Sequence, residues 1–174
     1  MVIILVSFLS RAVITVVFML SFLTKISNMN SFNDAIIRFK LIPSWASQTI
    51  TGVIIAFELL VIITMIMGGW VISWGYLFAS LLLTIFSIAL GLTLLRGIDT
   101  SCNCFGLSDD KISFYDIARN IGFISISIVG YSTSLVLPRN NLDPTTLSLL
   151  VVIAIVIVVV WINLKHMIKF LLDS

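Results

Sequence analysis

The two cysteines of the chain are the residues best suited to do chemistry, because they lie one residue apart as Cys102-Asn103-Cys104 in a polar interval. Two thiols this close can form a small disulfide ring when the backbone turns between them. Such a ring constrains the unfolded chain very little, which disfavours a stabilising role. Strained and accessible disulfides exchange readily with other thiols. The spacing therefore favours thiol–disulfide chemistry at Cys102 and Cys104, and two reduced, inert cysteines are the alternative.

The residues around the pair suit exchange. Asn103 and Gly106 permit a tight turn, and Phe105 can anchor the loop to an apolar surface. A single histidine, His166, cannot complete a metal site with two cysteines, so the sequence predicts no metal. Three basic residues would favour thiolate over thiol if the fold brings them near the pair, namely Arg96, Lys111 and Arg119.

The segments that must position this loop are strongly apolar. The 174-residue chain is 60% hydrophobic and 10% charged, whereas soluble domains carry about 25% charged residues. The composition therefore predicts an integral membrane protein in contact with a lipid bilayer. The formal net charge of +2 does not indicate nucleic-acid binding, because the basic residues cluster at the ends of apolar runs, where they anchor membrane helices.

Five apolar runs are each long enough to cross a bilayer, which takes about 20 helical residues. The sequence shows no internal repeat, so we predict a single all-α domain over residues 1–174, a compact bundle of five transmembrane helices. The predicted spans are 2–24, 46–67, 71–95, 117–137 and 146–164.

Shorter signals mark the connections between these spans. In the segment 26–45, Phe32, Ile36 and Phe39 share one helical face, which predicts a short amphipathic helix lying in the membrane interface. An ordinary surface loop is the alternative. Ser113-x-x-Asp116 resembles a capping box at the beginning of the fourth span. Three aromatic residues around the start of the third span predict an interfacial belt, namely Trp70, Trp74 and Tyr76.

Ionisable residues within membrane helices are functional candidates. Glu58 lies halfway along the second span, and Arg11 lies at a similar depth if the first span begins near residue 2. A buried Arg11–Glu58 pair is the simplest expectation, and a proton relay for the thiols or a contact to a quinone headgroup are alternatives. Alternatively, the first span begins at Arg11, which places Arg11 at one membrane surface. Lys25 and Arg119 are expected to extend to the membrane surface.

The distribution of charge predicts an orientation. With five spans, the side that bears the cysteine loop carries eight basic residues and the opposite side carries only Arg139. Because basic loops stay inside, this places the cysteine loop in the cytoplasm. The prediction conflicts with the proposed chemistry, since stable disulfides belong to oxidising compartments. The eight basic residues are Lys25, Arg38, Lys40, Arg96, Lys111, Arg119, Lys165 and Lys169.

Several of these residues, in their order and spacing, resemble the MauE/DoxX-like redox-associated membrane proteins, most closely the MauE branch. The resemblance covers about residues 10–130, and its most specific part is the Cys-x-Cys-Phe-Gly element. The fifth span suits the MauE branch better than the four-span DoxX relatives. The matching pieces are Arg11 with Phe18, Ser21 and Lys25, then Phe32…Leu41-Ile42-Pro43, Glu58-Leu59-Leu60, Cys102-x-Cys104-Phe105-Gly106 and Arg119-Asn120.

The resemblance implies a helical bundle in the bacterial plasma membrane that passes electrons or disulfides to partner proteins. It implies a thioredoxin-like redox partner and a disulfide-containing client outside the cytoplasm. The cysteine loop would then face outward, whereas the distribution of basic residues predicts that it faces the cytoplasm. Cys102 and Cys104 would be the reactive pair. The polar framework would consist of Arg11, Lys25, Glu58, Arg119 and Asn120.

Two other functions are compatible with the sequence. In the first, the chain is a non-catalytic assembly factor or subunit of a maturation or export complex, and its cysteines are dispensable. In the second, it is a quinone-linked oxidoreductase subunit of the DoxD type, with the quinone near Glu58. Quinone is thus the one cofactor that the sequence suggests as possible.

Overall fold

The computed structural model describes residues 2–39, 43–97, 113–136 and 144–163. Within these ranges the protein is helical and contains no β-strand, which confirms the predicted all-α class. Each of the five predicted spans coincides with a long helix, and the predicted amphipathic segment forms a short one. The helices are α1 (Val2–Ser27), α2 (Met29–Arg38), α3 (Ser44–Met67), α4 (Ile72–Leu95), α5 (Phe114–Val136) and α6 (Pro144–Ile162).

Three of the described helices, α1, α3 and α4, are long and apolar enough to cross a membrane. The outward faces of the bundle carry large apolar side chains such as Ile85, Ile88 and Ile128, each more than half exposed. A soluble bundle would place polar residues at such positions. These faces are suited to lipid, whereas the assignment of α5 and α6 as the remaining spans stays a prediction.

Helix α1 packs against α3, α5 and α6, while α4 packs against α3 and α5. Helices α4 and α5 are antiparallel, because Ser73 near the start of α4 lies 3.2 Å from Ser134 near the end of α5, hydroxyl to hydroxyl. The opposite ends also meet, where Leu90 of α4 packs near Ile117 of α5. The end of α4, the beginning of α5 and the end of α1 therefore lie at one end of the bundle.

Tyr76 shows how closely α4 and α5 approach. A Cβ atom at Gly130 would lie 2.3 Å from the Tyr76 ring, so only glycine fits there. Ser127 Oγ donates a hydrogen bond to the Tyr76 carbonyl at 2.9 Å, a contact of small polar residues typical of membrane helices. Tyr76 is buried, so its assignment to an aromatic belt is wrong, whereas Trp70 and Trp74 are exposed.

Helix α2 buries the predicted apolar face against the protein. Phe32 and Ile36 pack near α3 and α4 through Ile50, Ile54 and Phe86. Phe39 packs against Leu90, Leu94 and Ile117 of α4 and α5. The short amphipathic helix is confirmed, whereas its position in the membrane interface stays a prediction. It covers the end of the bundle where α1 and α4 end.

The capping box at α5 is also confirmed. The Ser113 backbone N–H donates to Asp116 Oδ2 at 2.9 Å, and the Tyr115 N–H donates to Ser113 Oγ at 3.3 Å. These bonds satisfy backbone donors that a helix leaves free in its first turn. The start of α5 is thereby fixed beside the end of α4.

Candidate functional site

A buried ion pair joins α1 to α3 inside the bundle. Lys25 Nζ forms a salt bridge with Glu58 Oε1, and both side chains are 1% exposed. Ser21, one turn before Lys25 on α1, donates from Oγ to Glu58 Oε1 at 2.9 Å and accepts from Lys25 Nζ at 2.9 Å. The three groups form a closed hydrogen-bonded triangle. Because an isolated charge is costly to bury, these mutual contacts are what allow both charges to lie in the apolar core.

Two aromatic rings complete the surroundings of the ammonium group. Lys25 Nζ lies 4.8 Å from the centroid of Phe32 on α2 and 4.6 Å from that of Phe86 on α4. Both distances fall within the range of cation–π attraction. Because Phe32 belongs to α2, the docking of this short helix contributes directly to the stabilisation of the buried charge.

Glu58 does not pair with Arg11, so the expected Arg11–Glu58 pair is wrong. Arg11 Nε donates to the Met65 carbonyl at 2.6 Å, and its Nη2 donates to the Ile66 carbonyl at 3.0 Å. Those carbonyls belong to the last turn of α3, where helices leave acceptors unsatisfied. Arg11 therefore caps the C-terminal end of α3.

The direction of helical side chains explains this choice of partner. Side chains lean toward the N-terminus of their own helix. The Arg11 side chain therefore extends toward the end of α3 and away from Glu58. Lys25 lies beyond Glu58 and leans back toward Ser21, which brings its ammonium to the carboxylate. The expectation that Lys25 extends to the membrane surface is wrong for the same reason.

A small cavity adjoins the ion pair. Its apolar walls come from α1 and α4, and its polar lining comes from α1, α3 and the first turns of α5. It has about 20 Å³ of room for the centres of water-sized molecules, enough for one or two waters. The lining residues are Val17, Phe18, Ser21, Lys25, Glu58, Leu83, Phe86, Leu90, Arg119 and Asn120.

Two buried oxygen atoms of the lining residues have no hydrogen-bond partner among the described residues, namely Glu58 Oε2 and Asn120 Oδ1. Asn120 is 3% exposed. The guanidinium of Arg119 lies 3.4 Å from Asp116 Oδ1, and the Arg119 side chain is only 13% exposed. Arg119 thus lines the cavity instead of extending to the membrane surface.

The fold brings together four of the five residues of the predicted polar framework. Lys25, Glu58, Arg119 and Asn120 all line the cavity, whereas Arg11 binds the other end of α3. The cysteine loop, with Cys102, Asn103, Cys104, Phe105 and Gly106, lies outside the described residues. Among the described residues, no group of three or more His, Cys, Asp or Glu side chains could hold a metal ion.

Sequence reasoning did not identify the direct contacts of the ion pair. Ser21 was part of the family pattern, but its bonds to Lys25 and Glu58 were not predicted. Phe86 was not singled out at all, because one phenylalanine in an apolar span carries no distinguishing signal. The four-residue spacing of Ser21 and Lys25, which puts both on one helical face, was the available signal.

The helices and the buried charge pair define the protein as an all-α integral membrane protein with a polar site inside its bundle. The family model described as methylamine utilisation protein MauE matches residues 3–133, about three quarters of the chain. The protein therefore belongs to the MauE family, as its residue pattern indicated. No curated protein and no solved structure matches the chain.

Proposed function

We propose that this protein is a thiol–disulfide exchange component of the bacterial plasma membrane, with Cys102 and Cys104 as the reactive pair. One observation carries the proposal: four framework residues, drawn from three helices, line a single cavity at one end of the bundle. Helix α4 ends and α5 begins at that same end, and both cysteines lie between these two helices in the sequence. The polar site therefore lies near the two helix ends that flank the cysteine segment in the sequence, which supports a shared role.

The proposed reaction conserves electrons and protons. A thiolate of the pair attacks a disulfide in a partner protein, which breaks the partner's S–S bond and forms a mixed disulfide. The second cysteine then attacks the mixed disulfide, so that a Cys102–Cys104 disulfide forms and the partner leaves with two thiols. Two electrons and two protons pass to the partner, and the reverse sequence oxidises it. Arg96 at the end of α4 and Arg119 near the start of α5 flank the cysteine segment in the sequence, and positive charge near a thiol favours thiolate over thiol.

The partner that fits this chemistry is a thioredoxin-like protein, which in turn acts on a disulfide-containing client outside the cytoplasm. The family description connects the chain to methylamine utilisation. We propose maturation of a secreted or periplasmic protein as the general role, with methylamine-related clients as one case. This role requires the cysteine loop to face outward, where disulfides persist.

Trapping of covalent partners tests the proposal. Cys102→Ser and Cys104→Ser remove one thiol each, and Ser101→Ala changes the same loop without removing a thiol. We expect one of the two cysteine variants to accumulate a membrane adduct that a reducing agent releases. Ser101→Ala should form no more adduct than the unchanged protein, and the double cysteine variant should form none.

The contrary result is equally clear. If neither single variant forms an adduct and the double variant matures its client at the normal level, the exchange function is wrong. The protein would then be a non-catalytic assembly factor. Labelling of intact cells with a membrane-impermeant thiol reagent checks the orientation, because only an outward-facing loop reacts before the cells are opened.

A further inference from the structure

The cavity beside the ion pair presents more acceptors than the protein satisfies. Glu58 Oε2 and Asn120 Oδ1 have no hydrogen-bond partner among the described residues, although Glu58 is 1% and Asn120 is 3% exposed. A buried acceptor without a donor destabilises the fold, and more so when it is charged. A carboxylate oxygen inside a membrane bundle therefore needs a donor.

The surrounding groups limit what that donor can be. Lys25 already binds the other carboxylate oxygen and Ser21, and two aromatic rings cover its ammonium. Arg119 also lines the cavity but pairs with Asp116, and no described group donates to Glu58 Oε2. Most of the remaining wall is apolar, from residues such as Leu83, Phe86 and Leu90. With about 20 Å³ available, the ligand has to be a small neutral molecule that donates hydrogen bonds.

We propose that the cavity is an internal hydration site in which one or two water molecules donate hydrogen bonds to Glu58 Oε2 and Asn120 Oδ1. The waters connect the buried ion pair to the first turns of α5. Glu58 on α3 is thereby hydrogen-bonded through water to Asn120 near the start of α5. The inference does not depend on the cysteines and goes beyond the proposed exchange function.

The composition of the chain provides a direct test, since Glu58 is its only glutamate. Protein made by cell-free synthesis with ¹³C-glutamate and placed in lipid bilayers gives one glutamate carboxyl signal. Water-edited solid-state NMR then measures how fast magnetisation passes from water to that carbon. We expect transfer several-fold faster than to methyl groups on the lipid-facing side of the bundle.

Two variants should slow this transfer by different means. Asn120→Leu removes one acceptor and places apolar volume in the cavity, while Leu90→Phe reduces the space and keeps both acceptors. Each should slow transfer to Glu58 at least three-fold. Ser125→Leu is the control, because Ser125 lies exposed on α5 and, among the described residues, donates to the Ile121 carbonyl one turn earlier.

Two results would overturn the inference. Transfer to Glu58 as slow as to the lipid-facing methyl groups would show that water does not reach the carboxylate. Fast transfer that persists in both cavity variants would show that water arrives by another route. Because the measurement requires no thiol, it can be repeated in a chain that lacks both cysteines, so its failure is distinguishable from failure of the exchange function.

Discussion

Helix α1 carries two basic side chains whose charges are stabilised by different kinds of partner. Arg11 and Lys25 are 14 positions apart, about 21 Å along the helix axis, and both contact α3. Arg11 donates to two main-chain carbonyls in the last turn of α3, whereas Lys25 pairs with the Glu58 carboxylate. One cation caps a helix end, and the other neutralises a buried anion.

The two ends of the bundle differ in what surrounds each cation. At the Arg11 end, a planar guanidinium satisfies fixed carbonyl dipoles, and Gly68 just beyond α3 leaves room for it. A Cβ at Gly68 would lie 3.2 Å from Arg11 Nη2. At the Lys25 end, two full charges adjoin a cavity that also contains Arg119 and Asn120. Only the second arrangement contains a buried carboxylate beside a cavity.

The largest effect is expected from removing the cation of the pair. Lys25→Met leaves the Glu58 carboxylate buried without its partner, which should lower the free energy of unfolding by about 3–5 kcal/mol. Unfolding of the purified protein in increasing SDS, followed by tryptophan fluorescence, measures this. The double variant Lys25→Met/Glu58→Met should recover most of the loss, because two apolar side chains leave no charge unpaired. A double variant as unstable as the single one would contradict the assignment.

A smaller effect is expected at the other end. Arg11→Leu removes two hydrogen bonds from a charged donor to the last turn of α3 and should cost about 1–3 kcal/mol in the same unfolding experiment. The free energy of unfolding of Arg11→Lys should lie between those of the unchanged protein and Arg11→Leu, because a single ammonium does not reproduce the forked geometry of the guanidinium. If Arg11→Leu lowers the free energy of unfolding more than Lys25→Met does, the expected order of the two ends is wrong.

The smallest effect is expected from Ser21, which links the ion pair without carrying charge. Ser21→Ala removes its hydrogen bonds to Lys25 and Glu58 but keeps the ion pair, and should cost about 1 kcal/mol. Ser125→Ala is the matched control on α5, where the exposed hydroxyl donates, within the described part of the chain, to the Ile121 carbonyl of its own helix. Equal stability of both variants with the unchanged protein would mean that the triangle adds nothing to the salt bridge.

The sequence predicted the helical elements well because each depends on local patterns. Apolar runs of membrane length located the long helices, and the face shared by Phe32, Ile36 and Phe39 located α2. The Ser113–Asp116 pattern located the start of α5. The partner of Glu58 was not predictable in this way, since Arg11 and Lys25 are both cations of the first span and depth alone favoured Arg11.

The sequence by itself determined that this is an all-α membrane protein of the MauE family, because composition and motif order do not depend on how the helices pack. Only the tertiary structure decided that Glu58 pairs with Lys25, and that Arg119 and Asn120 line the same cavity as this pair. The reason is geometric. A pattern along one helix fixes which residues share a face, whereas the partner across an interface depends on how two helices are aligned and where their side chains lean.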